Sequence, residues 1–301
     1  MTRAVAEATA LALVHEGTAA LEAVGLAAAL GSAEWLLAAV LGVGRFAVYL
    51  DPGRELSADQ AARYRALVGR RAAREPLQYL LGFEDFHGLR LAVTPDVLIP
   101  RPETEGLVEW AIEALGERPS AVVADVGTGS GAIACVLAAR LPGLQALATD
   151  CSPAALAVAA RNVRSHGLAD RVRLVAGDLM EPLREHGVRL DLVVANPPYV
   201  PSAVIRSLPA EVSAWEPRLA LDGGPDGMAV LRRIVASAPA VLAPGGRLLM
   251  EIGEEQAGAL ASVLAAQGFS EIRARRDLNG VERYIGGRWA AAPAPGPWTA
   301  R

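Results

Sequence analysis

Lysine is missing from this chain, whose 29 basic residues are all arginine. That absence removes the Walker phosphate lysine and every Schiff-base mechanism, and with them P-loop nucleotidases and pyridoxal enzymes. Cysteine is nearly missing too. Cys135 and Cys151 are too few and too far apart for a disulfide framework or a cysteine zinc site. The four histidines, His15, His87, His166 and His186, are scattered with no His-Glu-x-x-His pair, so surface or structural roles are expected for them and no metal is expected. No uncharged stretch approaches the ~20 residues that a membrane-spanning helix needs, and the start shows no charged segment followed by an apolar core and a cleavage site. The expectation is a cytoplasmic protein with no membrane partner.

Hydrophobic residues, by contrast, make up 52% against 21% charged, which excludes a mainly disordered chain. A length of 301 residues suggests about two domains. Formal charge is −4 with a pI near 5.7, so no whole-molecule basic field exists and stable nucleic-acid binding is not expected.

Residues 1–82 are rich in Ala, Leu and Arg, with Leu11, Val14, Leu21, Val24, Leu36, Leu37, Val40 and Leu41 at helical spacing. Breaks near Gly17, Gly31, Gly42 to Gly44 and Asp51-Pro52-Gly53 predict a small bundle of short helices. Ser57 is a candidate N-cap for a helix carrying Arg63, Arg65, Arg70, Arg71 and Arg74. A solvated helix face is the favoured reading of that run, with a docking surface for an acidic or RNA-bearing partner as the alternative. Residues 83–103 suggest a short β-hairpin linker, with Phe86 to Leu89 and Leu91 to Val93 flanking turn residues, stiffened at Pro100-Arg101-Pro102.

Residues 104–289 alternate apolar strand-like runs with helical ones. The strands are expected at 121–125, 144–150, 172–177, 190–196 and 247–252, and the helices at about 131–140, 153–166, 228–242 and 254–267. Two further strands, 271–277 and 282–289, suit an antiparallel hairpin on one edge. This is the pattern of a doubly wound α/β sheet covered on both faces. Residues 290–301, with Pro293, Pro295 and Pro297, suggest a disordered tail.

In such a sheet, ligands bind beyond the carboxyl ends of the strands. Four strand ends carry signatures. Asp125 to Gly131 holds Gly127, Gly129 and Gly131 around Thr128 and Ser130, a spacing tighter than a dinucleotide loop and suited to an amino-acid moiety. Asp150, about 20 residues on, is placed to accept both hydroxyls of a ribose. Asp178 is a candidate acceptor for an adenine amino group, with Leu179 packing on the ring. N-capping of the following helices is the alternative for both acids, since Ser152-Pro153 and Glu181-Pro182 follow them.

The fourth signature, Asn196-Pro197-Pro198-Tyr199, is the most informative. Two prolines forfeit two backbone donors and fix an extended chain, leaving carbonyls in need of a donor. A planar NH2 group fits, giving one hydrogen to the Asn196 side-chain oxygen and the other to the Pro197 carbonyl, with the Tyr199 ring over its plane. Acceptors on both N–H bonds return electron density to an amide nitrogen and hold it in line with an electrophile. The electrophile that suits a ribose acid, an adenine pocket and a tight Gly turn, without metal or Lys, is S-adenosylmethionine.

The chain resembles, over nearly its whole length, the protein-(glutamine-N5) methyltransferases of the HemK type that modify class 1 peptide chain release factors. The similarity lies in Glu75 to Tyr79, Leu98 to Glu105, Asp125 to Gly131, Asn196 to Tyr199, Glu216 to Leu221 and Glu251-Ile252-Gly253. Asn-Pro-Pro-Tyr is shared with adenine-N6 methyltransferases, whereas Ile99 to Glu105 and the helical N-terminal segment are more specific. The resemblance implies a Rossmann-like seven-stranded S-adenosylmethionine-dependent methyltransferase sheet behind a helical bundle that helps grip the release factor. It implies methylation of the glutamine of a Gly-Gly-Gln loop, with S-adenosylhomocysteine as the second product. It further implies cofactor contacts from Gly127 to Gly131, Asp150, Asp178 or Leu179, and Asn196, with Asn196 to Tyr199 holding the glutamine. Leu179 stands where some relatives place an aromatic ring, and the tail beyond Trp289 falls outside the pattern. A glutamine of a large-subunit ribosomal protein is the nearest alternative substrate, and adenine in nucleic acid a more distant one.

Overall fold

The computed structural model describes residues 8–290 apart from 117 and 119. The described chain divides into two compact units. The first runs to Phe83 and takes in Pro209–Trp215, while the second holds Glu84–Leu208 and the chain from Glu216 onward. The expected linear order of helical bundle, hairpin linker and α/β domain is therefore interrupted, because a short later segment clusters with the helices. From residue 291 on, the expected tail lies outside the described residues.

In the first unit, β1 (Ala8–Thr9) pairs antiparallel with β2 (Glu55–Leu56), and the helices are α1 (Ala10–Ala23), α2 (Ala29–Leu41), α3 (Ala47–Leu50), α4 (Ala58–Ala72) and α5 (Leu77–Leu81). Leu13, Leu21, Leu36, Leu37 and Tyr64 are fully buried in its core, each contributing on the order of 2 kcal/mol. Gly17 and Gly31 do not break helices as expected; both lie inside them. At Gly17 the reason is packing, since a Cβ there would sit 2.0 Å from the Tyr64 hydroxyl. Ser57 caps α4 with a capping box to Gln60, as expected.

The Arg run is neither a bare solvated face nor a free basic patch, and its last member, Arg74, lies beyond the end of α4 at Ala72 instead of on the helix as expected. Arg65 pairs with Glu16 at 2.7 Å, Arg70 with Glu75 at 2.5 Å, and both Arg71 and Arg74 with Glu211 at 3.3 Å. Those last two pairs hold the later segment against α4. Arg63 is exposed, with no ion pair to another described residue.

The boundary between the units falls after the first residue of β3 (Phe83–Phe86), which is joined to β4 (Leu89–Ala92) by His87-Gly88. Both turn residues have positive φ, 48° and 80°, the geometry of a tight two-residue hairpin. The expected hairpin thus exists with its turn at His87-Gly88 rather than inside the first arm. Helix α6 (Pro102–Leu115), unassigned from sequence, follows with Pro at its first position. Then come β5 (Ala121–Val126), α7 (Ala132–Arg140), β6 (Leu144–Asp150), α8 (Pro153–Ser165), β7 (Val172–Ala176), α9 (Glu181–Glu185) and β8 (Leu190–Ala195). After α10 (Ala210–Ser213), which belongs to the first unit, the chain forms α11 (Ala229–Ser237), β9 (Leu242–Glu251), α12 (Ala257–Gln267), β10 (Phe269–Arg276) and β11 (Glu282–Trp289).

The seven-stranded sheet has the order β10-β11-β9-β8-β5-β6-β7. Strands β9, β8, β5, β6 and β7 are parallel, and β11 runs antiparallel between β9 and β10. Successive residues of β5 and β8 alternate between two cores: Val123, Leu192 and Val194 face α6, α7 and α8, while Ala124, Val193 and Ala195 face α9, α11 and α12. Strand order reverses between β5 and β8, so the crevice lies beyond Val126 and Ala195.

Candidate active site

At the end of β5 the buried Asp125 organises the glycine turn. Its Oδ2 accepts the Thr128 hydroxyl at 2.6 Å and the Ala134 N–H at 3.1 Å, while Oδ1 has no partner among the described residues. Burial pushes its carboxyl up to about 6 despite those two donors. Gly127, Gly129 and Gly131 have φ of 72°, 54° and 80°, which residues with a Cβ adopt only under strain. A Cβ on Gly127 or Gly129 would meet open space, whereas one on Gly131 would sit 3.2 Å from the Ala159 Cβ. The first two glycines leave room for a ligand, and the third serves packing against α8.

Asp150 ends β6. Its Oδ2 accepts the Gly129 N–H and its Oδ1 the Ser152 N–H, both at 2.9 Å. Ser152, not Asp150, caps α8. The capping alternative also fails for Asp178, because Met180 precedes α9 and the Asp178 carboxylate is ion-paired with Arg233. Leu179 has a positive φ of 50° and packs partly buried beside these groups.

Asn196 and Pro198 face the same cavity, whereas Pro197 is buried. The Asn196 side chain donates from Nδ2 to the Thr104 Oγ1 at 3.0 Å, and no donor among the described residues is bonded to its Oδ1. Thr104 in turn donates to Glu251 Oε2 at 2.7 Å, and the Tyr199 hydroxyl donates to Glu251 Oε1 at 3.1 Å. Burial raises Glu251 above the ordinary carboxylate range, opposed by those two hydroxyls and by the Arg283 charge. Burial and Glu251 push the Tyr199 phenol up, which keeps it a neutral donor. Gln256 ties the backbone down by donating to the Tyr199 carbonyl at 3.0 Å while accepting the Gly253 N–H at 2.8 Å.

The cavity of about 230 Å³ draws its walls from four places: Gly127 to Ser130 with the first residues of α7, Asp150 to Ser152, Asp178 to Leu179 with Arg233, and Asn196 with Pro198. Leu98, Pro100 and Thr104 close one side and Pro217, Leu219 and Ala220 another. Of the site residues expected from sequence, Gly131, Pro197 and Tyr199 do not line it.

Residues 12–82 match the PrmC N-terminal domain and residues 109–208 the Methyltransferase small domain. The chain is 47% identical over 256 residues to the release factor glutamine methyltransferase of Geobacter sulfurreducens, covering 85% of this chain and 88% of that protein. The chain belongs to the release factor glutamine methyltransferase family. A second member, from Moorella thermoacetica, is 51% identical over 214 residues, covering 71% of this chain and 75% of its own length. A methyltransferase structure from Pyrococcus furiosus superimposes with a TM-score of 0.52 at 16% identity, over 74% of this chain and 99% of that one, and so shares the fold.

Several residues of this release factor glutamine methyltransferase relative escape sequence reasoning. The Asn162 side chain, 1% exposed, accepts the Ala92 N–H at 2.7 Å and donates to the carbonyls of Ala92 at 3.0 Å and Ser130 at 2.8 Å. One amide thereby joins the hairpin to the glycine turn. Its signal was present as the lone polar residue on the buried stripe of Ala155, Val158, Ala159 and Val163. Glu216, 6% exposed, accepts the Ile99 N–H at 3.3 Å and pairs with Arg101, fixing the segment that leads into α6. Thr104 and Glu251 lie within motifs that carried the family resemblance, but nothing local assigns Thr104 to Asn196 or Glu251 to Thr104 and Tyr199. Among the described residues no helix is long and apolar enough to cross a membrane.

Proposed function

We propose that this family member transfers a methyl group from S-adenosylmethionine to the side-chain amide nitrogen of the glutamine in the Gly-Gly-Gln motif of class 1 peptide chain release factors, releasing S-adenosylhomocysteine. The observation that carries the reading is Asn196: on the cavity wall, its amide nitrogen is tied to Thr104 and its oxygen is left to accept.

The residues present fit the cofactor. Open space at Gly127 and Gly129 and the N–H groups at the start of α7 suit an amino-acid carboxylate. The unpaired Asp125 Oδ1 can take a donor such as water. Each Asp150 oxygen keeps a lone pair for a ribose hydroxyl, and Leu179 offers an apolar surface to a purine. Because Arg233 holds Asp178, an adenine amino group there meets an ion pair instead of a free carboxylate. When bound, S-adenosylmethionine supplies an electrophilic methyl carbon on a sulfonium.

The chain's own part is to prepare the nucleophile. Asn196 Oδ1, on the cavity wall, is assigned one hydrogen of the glutamine amide and the Pro197 carbonyl, behind that wall, the other, which counters delocalisation of the nitrogen lone pair and aligns the nitrogen. As positive charge develops on nitrogen, the same two oxygens stabilise it, and the charge is discharged when one of the two amide hydrogens leaves as a proton. Tyr199, the last residue of the tetrad, is anchored through its hydroxyl to Glu251. The helical unit is assigned to gripping the protein substrate.

The test is methyl transfer from labelled cofactor to a purified release factor and, separately, to purified large-subunit ribosomal protein and to nucleic acid. Label on the Gly-Gly-Gln peptide of the release factor is expected; label confined to another substrate overturns the assignment. Asn196→Ala is expected to retain S-adenosylhomocysteine binding and lose at least about 100-fold in kcat, worth ~2.7 kcal/mol.

A further inference from the structure

We infer that Thr104, polarised by Glu251, is a positioning residue that fixes which end of the Asn196 amide faces the substrate. This rests on the clamp reading of Asn196 and deepens it.

The argument is a count of hydrogens. Glu251 is 1% exposed and its two oxygens face the hydroxyls of Thr104 at 2.7 Å and Tyr199 at 3.1 Å. Both Glu251 oxygens accept, one from Thr104 and one from Tyr199, so the single Thr104 hydroxyl hydrogen is committed to Glu251. The Thr104 oxygen then has lone pairs alone to offer Asn196, 3.0 Å away. Only the NH2 end of the asparagine can satisfy that contact, so Oδ1 is left for the cavity. Were the hydroxyl hydrogen free to turn, the amide could rotate by half a turn and present its NH2 to the substrate, where two donors would meet and the clamp would fail.

Each link comes from a different element: Glu251 from the end of β9, Thr104 from the first turn of α6, and Asn196 from the end of β8. Thr104 is 4% exposed, so water does not readily stand in for its hydroxyl. The same carboxyl group anchors the Tyr199 hydroxyl, so one buried side chain sets the acceptor and the adjoining ring together.

The test compares Thr104→Val, which keeps the shape and removes the hydroxyl, with Thr104→Ser, which restores it. Kinetics with a purified release factor should show Thr104→Val losing at least about tenfold in kcat. The S-adenosylhomocysteine Kd and the release factor KM should stay within about twofold, and Thr104→Ser should recover most of the loss. Adding Thr104→Val to Asn196→Ala should cost nothing further in kcat, because the residue whose orientation it sets is gone. If Thr104→Val keeps wild-type kcat while Asn196→Ala does not, the orientation role is overturned and the clamp stands. If both keep it, the clamp itself is wrong. A Thr104→Val protein that has lost cofactor binding, with no recovery in Thr104→Ser, also overturns the inference, since that outcome marks a packing role.

Discussion

Replacing Asn162 by Ala removes one side chain and strands three backbone groups. The bond to the Ser130 carbonyl is fully buried, so its loss leaves an acceptor with no access to water, at a cost of about 1.5 kcal/mol. The two bonds to Ala92 are partly buried, and water recovers much of each, leaving about 0.5 kcal/mol apiece. Together the substitution should destabilise the second unit by about 2.5 kcal/mol. Because Ser130 lies in the glycine turn that lines the cavity, freeing its carbonyl also loosens a wall that must be ordered again on binding. If about half of the lost energy reappears there, the S-adenosylhomocysteine Kd rises about tenfold. Urea denaturation and titration calorimetry read the two effects separately. Asn162→Asp sharpens the comparison: it keeps an acceptor for the Ala92 N–H but turns a charge toward two carbonyls, and should be worse than Ala in both assays. A destabilisation below about 0.5 kcal/mol with an unchanged Kd would refute the bridging role.

Two other expectations follow from the same unit. At Gly227 (φ 74°) an added Cβ would lie 2.3 Å from the Tyr199 carbonyl oxygen and 2.7 Å from Gln256 Nε2, so Gly227→Ala should displace the tetrad and lower kcat at least about tenfold; a kinetic assay showing wild-type turnover would sink this. For Asp125, burial lifts the folded carboxyl to about 6, against an unfolded value of ~4. Between those values the folded state holds a proton that the unfolded state has released, so the contribution of this group to stability is full below ~4 and is lost as pH rises to about 6. The loss reaches roughly 3 kcal/mol in the ligand-free protein. Asp125→Asn should abolish this slope in denaturation midpoints measured from pH 4 to 7, and an unchanged slope would refute the assignment.

The strands of the second unit were legible because a parallel sheet buried on both faces leaves nearly unbroken apolar runs such as Leu190 to Ala195. The tetrad and glycine turn were legible because their backbone demands are local. What stayed hidden depends on partners remote in the chain. Thr104 meets Asn196 across 92 residues and Asn162 meets Ala92 across 70, and neither pairing leaves a periodic trace. Asp178 was read as a free acceptor because Arg233, 55 residues later, is brought beside it only by folding. Gly17 was misread for a related reason: glycine marks a turn or a close approach equally well, and only the Tyr64 ring decides which.

The discontinuity of the first unit bears on how its gene may be cut. A fragment stopping at Phe83 carries every helix of the bundle through α5 yet omits Glu211, the carboxylate facing both Arg71 and Arg74. Arg71 is only 8% exposed in the intact chain, and such a fragment leaves its carboxylate partner behind on another polypeptide. Splitting the protein at its apparent seam therefore severs an electrostatic closure, and the two halves are best regarded as a single interleaved coding unit.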